Sequence, residues 1–185
     1  MLRLITVAVL AVMIGGIGTP SMAADQNATM CTGDVQAPPA GLEEVQDPTL
    51  LAKAIGAPQQ GKLCTGKVFK LAETGGNMVT VYRVWDASKP YTALGGWWSF
   101  SAPQGPRDAY RQENEICPAW SALNKVSHCT IKAGALIVVG PGQSAKCSDD
   151  LNYPTSPVNQ VYIPNDAQNN QVFVENCQDD GDWPH

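Results

Sequence analysis

Histidine is almost absent from this 185-residue chain: His128 and the terminal His185 are the only two. Aromatic residues are sparse at 7%, and no basic run interrupts a net charge of −5. These shortages exclude a good deal. Two distant histidines and no Cys-x-x-Cys pair leave little from which to build a zinc centre. An acidic chain without a lysine- or arginine-rich patch has no electrostatic footprint for nucleic acid. The glycine turn "GPGQS" lacks the Lys-Ser/Thr of a phosphate loop, and neither Gly-x-Ser-x-Gly nor His-Glu-x-x-His occurs. Internal repeats and low-complexity blocks are missing as well.

What is present begins with an apolar run, "MLRLITVAVLAVMIGGIG", followed by "TPSMAAD". The pattern predicts a signal peptide over residues 1–24, removed after Ala23 or Ala24. The rival reading is a membrane anchor. The run is short, contains glycine and stops at Pro20-Ser21, so no stable anchor is expected to remain. A mature chain of about 160 residues then has enough surface to bury for one core, in a secreted or periplasmic protein. Six cysteines remain: Cys31, Cys64, Cys117, Cys129, Cys147 and Cys177. An even count behind an export signal predicts three disulfides and no free thiol. Loop shortness alone selects the pairs Cys31–Cys64, Cys117–Cys129 and Cys147–Cys177. The alternative is a thiol nucleophile at Cys129 beside His128, which would leave an odd cysteine unpaired.

Along the chain, residues 25–40 read as an extended lead-in, 41–178 as one globular domain and 179–185 as a loose acidic tail. "QDPTLLAKAIGAP" reads as a helix capped by Asp47, with Pro48 in its first turn. "GKVFKLAE" and "NMVTVYRVWD" read as strands joined by a Gly-Gly-Asn turn, hence a hairpin. "GPRDAYRQENEI" reads as helix, and "PAWSALNKV" as a second one whose end His128 would cap. "CTIKAGALIVVG" is the most apolar strand, expected at the centre; "WWSFSAP", "NQVYIP" and "NQVFVENC" add further strands. The fold class is therefore α+β: a single disulfide-stabilised domain with a mainly antiparallel sheet and a few short helices.

One stretch stands out, "GGWWSFSAPQGPRDAYRQ" from Gly95 to Gln112, which sets two indoles beside serines and arginines. On the strand before it, Arg83 shares a face with Val79 and Val81, and a guanidinium buried there must meet an anion or an acid such as Asp86. Strand alternation sends Trp97 and Trp98 to opposite faces, so one of them can pack the core while the other faces a ligand. Three segments in this order, "VYRVWD", "WWSFSAP" and "PVNQVYIP", resemble the ADP-ribosyltransferase and NAD-glycohydrolase superfamily. Within it, the Gly-Gly/Ser-Phe segment followed by a proline–glycine turn and an arginine is most similar to NADases of the tuberculosis-necrotizing-toxin type.

The resemblance implies Arg83, Ser99 and Gln160 as catalytic residues and Tyr82, Trp97, Trp98, Ser101, Arg107 and Arg111 as substrate-binding ones. It implies NAD as a substrate, with no resident cofactor or metal. The chemistry suits these residue types. A fork-shaped guanidinium matches a pyrophosphate, an indole face attracts the cationic nicotinamide ring, and an amide can position the ribose or the attacking water. Two departures stand beside the likeness. Tyr162 occupies the position, two residues after Gln160, where transferases carry glutamate, and Glu175 lies too far along to replace it. The histidine of the toxin-type NADases has no counterpart. Together these disfavour modification of a protein and leave hydrolysis of NAD, or no catalysis at all. A second class of function stays open: a non-enzymatic secreted module binding through Trp97, Trp98, Trp120 and Tyr91. A hydrolase built on His128 in a cleft is a third.

Overall fold

The computed structural model describes residues 31–76 and 78–184, so the expected signal peptide lies outside the described residues. In chain order the elements are β1 (Leu42–Val45), α1 (Pro48–Ala54), β2 (Lys67–Leu71), β3 (Thr80–Trp85), β4 (Trp97–Trp98), α2 (Arg107–Glu113), β5 (Lys125–Ile131), β6 (Leu136–Gly142), β7 (Ala145–Lys146), β8 (Asn152–Tyr153), β9 (Ser156–Tyr162) and β10 (Val174–Asp182). This is an α+β domain stapled by disulfides, and its named strands all pair antiparallel.

One sheet runs β1-β2-β6-β9-β4 and a second runs β10-β5-β3. They join where Tyr82 and Ser99 exchange both backbone hydrogen bonds, at 2.8 and 2.9 Å. The main core lies between the sheets: Phe69, Leu71, Ile137, Val139 and Val161 from one meet Val79, Val81, Cys129 and Ile131 from the other. Each such side chain contributes roughly 1.5–3 kcal/mol on burial. That is why the apolar run of β6, buried along most of its length, takes the middle of the larger sheet. Leu50 and Ala54 of α1 cover the opposite face, against Val68 and Val138. Asp47 caps α1 as expected, its side chain accepting from the Leu50 amide at 2.8 Å.

Five expectations are corrected. The stretch "CTIKAGALIVVG" is not one strand: Cys129–Ile131 ends β5 in the smaller sheet, a turn closed by the Ala135 amide on the Lys132 carbonyl follows, and only Leu136 onward is the central β6. β2 and β3 do not form a hairpin; they belong to different sheets, because their apolar faces meet across the core rather than side by side. The segment after Pro118 is a turn leading to extended chain, not a helix. The carbonyls a helix would need are taken by the Arg111 guanidinium, which bonds those of Ile116, Cys117, Ser121 and Ala122. His128 consequently caps nothing and stands in mid-β5, with Nδ1 2.8 Å from Asp180. The acidic C-terminus is not loose through most of its length: β10 continues to Asp182, and Trp183 is buried with its ring edge-on to Tyr110.

The disulfides are three, as expected, and no cysteine is free among the described residues. Cys31–Cys64 is the anticipated pair, but the other two are Cys117–Cys147 and Cys129–Cys177. Loop shortness misleads here because β10 pairs with β5 and carries Cys177 to Cys129 across a separation of 48 residues.

Candidate functional site

β3 and β4 touch at Tyr82 and Ser99 and then part, and Arg83 fills the split. Its Nε donates to the Thr92 carbonyl and its Nη1 to the Trp97 carbonyl. The guanidinium also lies 5.9 Å from the centre of the Trp98 ring. Any side chain at Gly95 would overlap it, so the first glycine of the pair before the tryptophans makes room for a cation, while Gly96 lies against Tyr162. No carboxylate pairs with Arg83 among the described residues. Asp86, the acid within reach by sequence, is spent on Ser88, the Ala122 amide and Lys89. Burial pulls Arg83 down to about 10, opposed by the neighbouring Tyr110 hydroxyl, and the group stays charged at neutral pH. It is an oriented cation with no counter-charge.

Arg83 lines two clefts. One, of about 430 Å³, includes Lys53, Tyr91, Tyr162, Asn165 and Gln168. The other, of about 380 Å³, includes Lys62, Trp97, Glu115, Trp120 and Gln160. A broader groove of about 760 Å³ meets the first of these along Lys53, Pro164 and Gln171.

The 380 Å³ cleft contains a residue that sequence reading missed. Glu115 follows the end of α2 with a left-handed backbone, φ +48°, and is 1% exposed. Its Oε2 accepts from Gln160 Nε2 at 2.7 Å, while Oε1 has no hydrogen-bond partner. Burial pushes the carboxyl up to about 9, with Gln160 and Ser156 pulling it back, so it is a neutral acid at physiological pH. Gly142 of β6 faces it so closely that any side chain there would overlap Oε2. In the sequence Glu115 looks like Glu113, one more helix carboxylate. Nothing in its neighbours announces that the helix stops short and turns it inward.

The expected site residues are divided among several places. Arg83, Trp97 and Gln160 share the 380 Å³ cleft. Ser99 and Ser101 line a separate cleft of about 370 Å³ with Gln36, Phe100 and Asn159. Tyr82 turns towards His128, ring centroids 6.0 Å apart. Trp98 is buried in the main core and donates to the Gly95 carbonyl, while Trp97 lies on the other face against Tyr162. Arg107 donates to the Leu123 and Trp183 carbonyls, and Arg111 to the four carbonyls named above. These two arginines hold the 116–123 loop that forms one wall of the cleft. Among the described residues no metal-binding cluster occurs, and no helix is long and apolar enough to cross a membrane. No family model, curated protein or solved structure matches this chain.

Proposed function

We propose that the chain is an exported NAD glycohydrolase, binding the dinucleotide across the two clefts that meet at Arg83 and transferring its ADP-ribosyl group to water as nicotinamide leaves. The observation that carries this reading is the double role of Arg83, an unpaired cation lining both clefts. A dinucleotide has two ring systems joined by a pyrophosphate, so its charge falls at the joint between its halves. The fork of a guanidinium suits that group, and Lys53 adds a second cation on the far side. In the second cleft Trp97 offers an indole wall and Gln160 an amide for the ribose or water. Tyr162 packs against Trp97 where a transferase would hold glutamate, which favours water as acceptor. Disulfides and an apolar leader support export to an oxidising compartment.

The test is incubation of the oxidised protein with NAD while nicotinamide release is followed. Gln160→Ala is expected to lower kcat more than it raises KM, because the amide positions the reacting group. Turnover absent from the wild-type protein sinks the reading. A second reading, a non-enzymatic binding module, is favoured by Tyr91 and Trp120, exposed at 55% and 49% on the two cleft rims. Ligand capture without nicotinamide release would support it.

A further inference from the structure

We propose that Glu115 is a positioning residue: with the Asn114 carbonyl it occupies both amide hydrogens of Gln160, so that Gln160 presents its oxygen to the cleft as an acceptor for a ribosyl hydroxyl. The hydroxyl rests on the NAD reading; the fixed amide rests on geometry alone.

Gln160 stands where the larger sheet opens. β4 pairs Trp97 with Tyr162 and Trp98 with Val161, then leaves β9 for Tyr82 of β3. The next β9 residue, Gln160, has no β4 residue opposite it, and it lines the 380 Å³ cleft. Its Nε2 donates to the Asn114 carbonyl at 3.2 Å and to Glu115 Oε2 at 2.7 Å. A backbone carbonyl only accepts, so the amide nitrogen is fixed on that side and the oxygen on the other. No described residue donates to Gln160 Oε1. Among the described residues the only fully enclosed side-chain atom without a partner is Glu115 Oε1, so Gln160 Oε1 is open to the cleft.

The surroundings of Glu115 serve this contact. Its backbone is left-handed, φ +48°, and the missing side chain of Gly142 leaves the space that the carboxyl fills. Enclosing Oε1 without a partner costs stability, and an apolar side chain of similar length would avoid that cost. Core packing therefore does not explain the acid; the bond from Gln160 to Oε2 does. In the proposed reaction the C1′–N bond breaks with its electron pair leaving on nicotinamide, and water adds to C1′ and gives a proton to solvent. Positive charge develops on the ribose meanwhile, so its 2′-hydroxyl becomes a better donor. A hydrogen bond from that hydroxyl to a fixed acceptor strengthens in the transition state.

Nitrogen-15 spectra of the free protein read the fixed amide without any ligand. The Gln160 side-chain amide, assigned by its loss in Gln160→Met, is expected to exchange with solvent about tenfold more slowly than that of exposed Gln168, the worth of one hydrogen bond. Glu115→Met is expected to remove the protection, and Glu115→Gln, which keeps an acceptor oxygen, to retain it. In turnover, Glu115→Met is expected to lower kcat about tenfold with little change in KM, and Glu115→Gln to restore it. The hydroxyl is read by comparing NAD with its analogue lacking the 2′-hydroxyl of the nicotinamide ribose. Intrinsic reactivity cancels between variants, so the wild-type preference for NAD in kcat/KM is expected to exceed that of Gln160→Met and Glu115→Met by about tenfold. Fast exchange of the Gln160 amide in the wild-type protein overturns the inference, whether or not Glu115→Met folds. The same preference for NAD in every variant overturns it too. A protected amide without nicotinamide release removes NAD and its hydroxyl but supports the positioning role. Nicotinamide release with an unprotected amide leaves the glycohydrolase reading standing alone.

Discussion

Glu115 and Arg83 are opposite answers to one problem, that of holding an ionisable group inside a protein. Burial strips both of water; Glu115 responds by keeping its proton, and Arg83 by donating to two carbonyls. The consequence for stability has a definite sign. A carboxyl held up to about 9 in the folded state, against an ordinary value when unfolded, contributes stability that is full below the ordinary carboxylate range. That contribution is lost as pH rises towards 9, at up to about 1.4 kcal/mol per pH unit. Wild-type protein is therefore expected to lose stability to urea between about pH 5 and pH 9 relative to Glu115→Gln. Parallel curves would show that the carboxyl does not titrate there. Gly142→Ala forces a methyl onto the same carboxyl and is expected to cost about 1–3 kcal/mol, the usual range for overpacking. Arg83→Lys keeps the charge but cannot reach both carbonyls in the same geometry. It is expected to lower Tm as well as NAD affinity, whereas Gln160→Ala leaves Tm nearer the wild-type value.

At the scale of elements, the short helices and the last strand carry more than their length suggests. Asp47 at the head of α1 satisfies an amide that would otherwise have no intrahelical partner. Asp47→Ala is expected to cost about 1 kcal/mol, measured by denaturant titration. β10 leads into Trp183, which packs edge-on against Tyr110 of α2 and offers its carbonyl to Arg107. Trp183→Ala is expected to cost about 3–5 kcal/mol, measured by denaturant titration. A loss well under 1 kcal/mol would mean that the tail does not contribute to the fold. Helix α1 and its cap were legible because the Asp47-Pro48 opening and the apolar spacing act within one turn. The end of α2 was not, because it is decided by Arg111 collecting carbonyls up to Ala122.

At the scale of the molecule, two main sheets, three disulfides and a main core flanked by two smaller clusters hold a chain whose strands pair over long sequence distances. Reduction is expected to cost a few kcal/mol per bond, comparable to the whole margin of a domain this size, and to lower Tm sharply. Peptide mapping without reduction is expected to recover Cys117 linked to Cys147 and Cys129 linked to Cys177. The sequence by itself determined the fold class, the central place of β6, the even set of cysteines and the opposite fates of Trp97 and Trp98. Each of these follows from hydrophobic periodicity or residue counting, which are local properties. Only the tertiary structure decided which cysteines meet, that β2 and β3 lie in different sheets, and that Arg83 and Gln160 share a cleft while Ser99 faces another. It alone turned Glu115 inward. These outcomes depend on which strands pair and where two of them part. Strand pairing is set by the burial of whole apolar faces against each other, a property that no single segment contains.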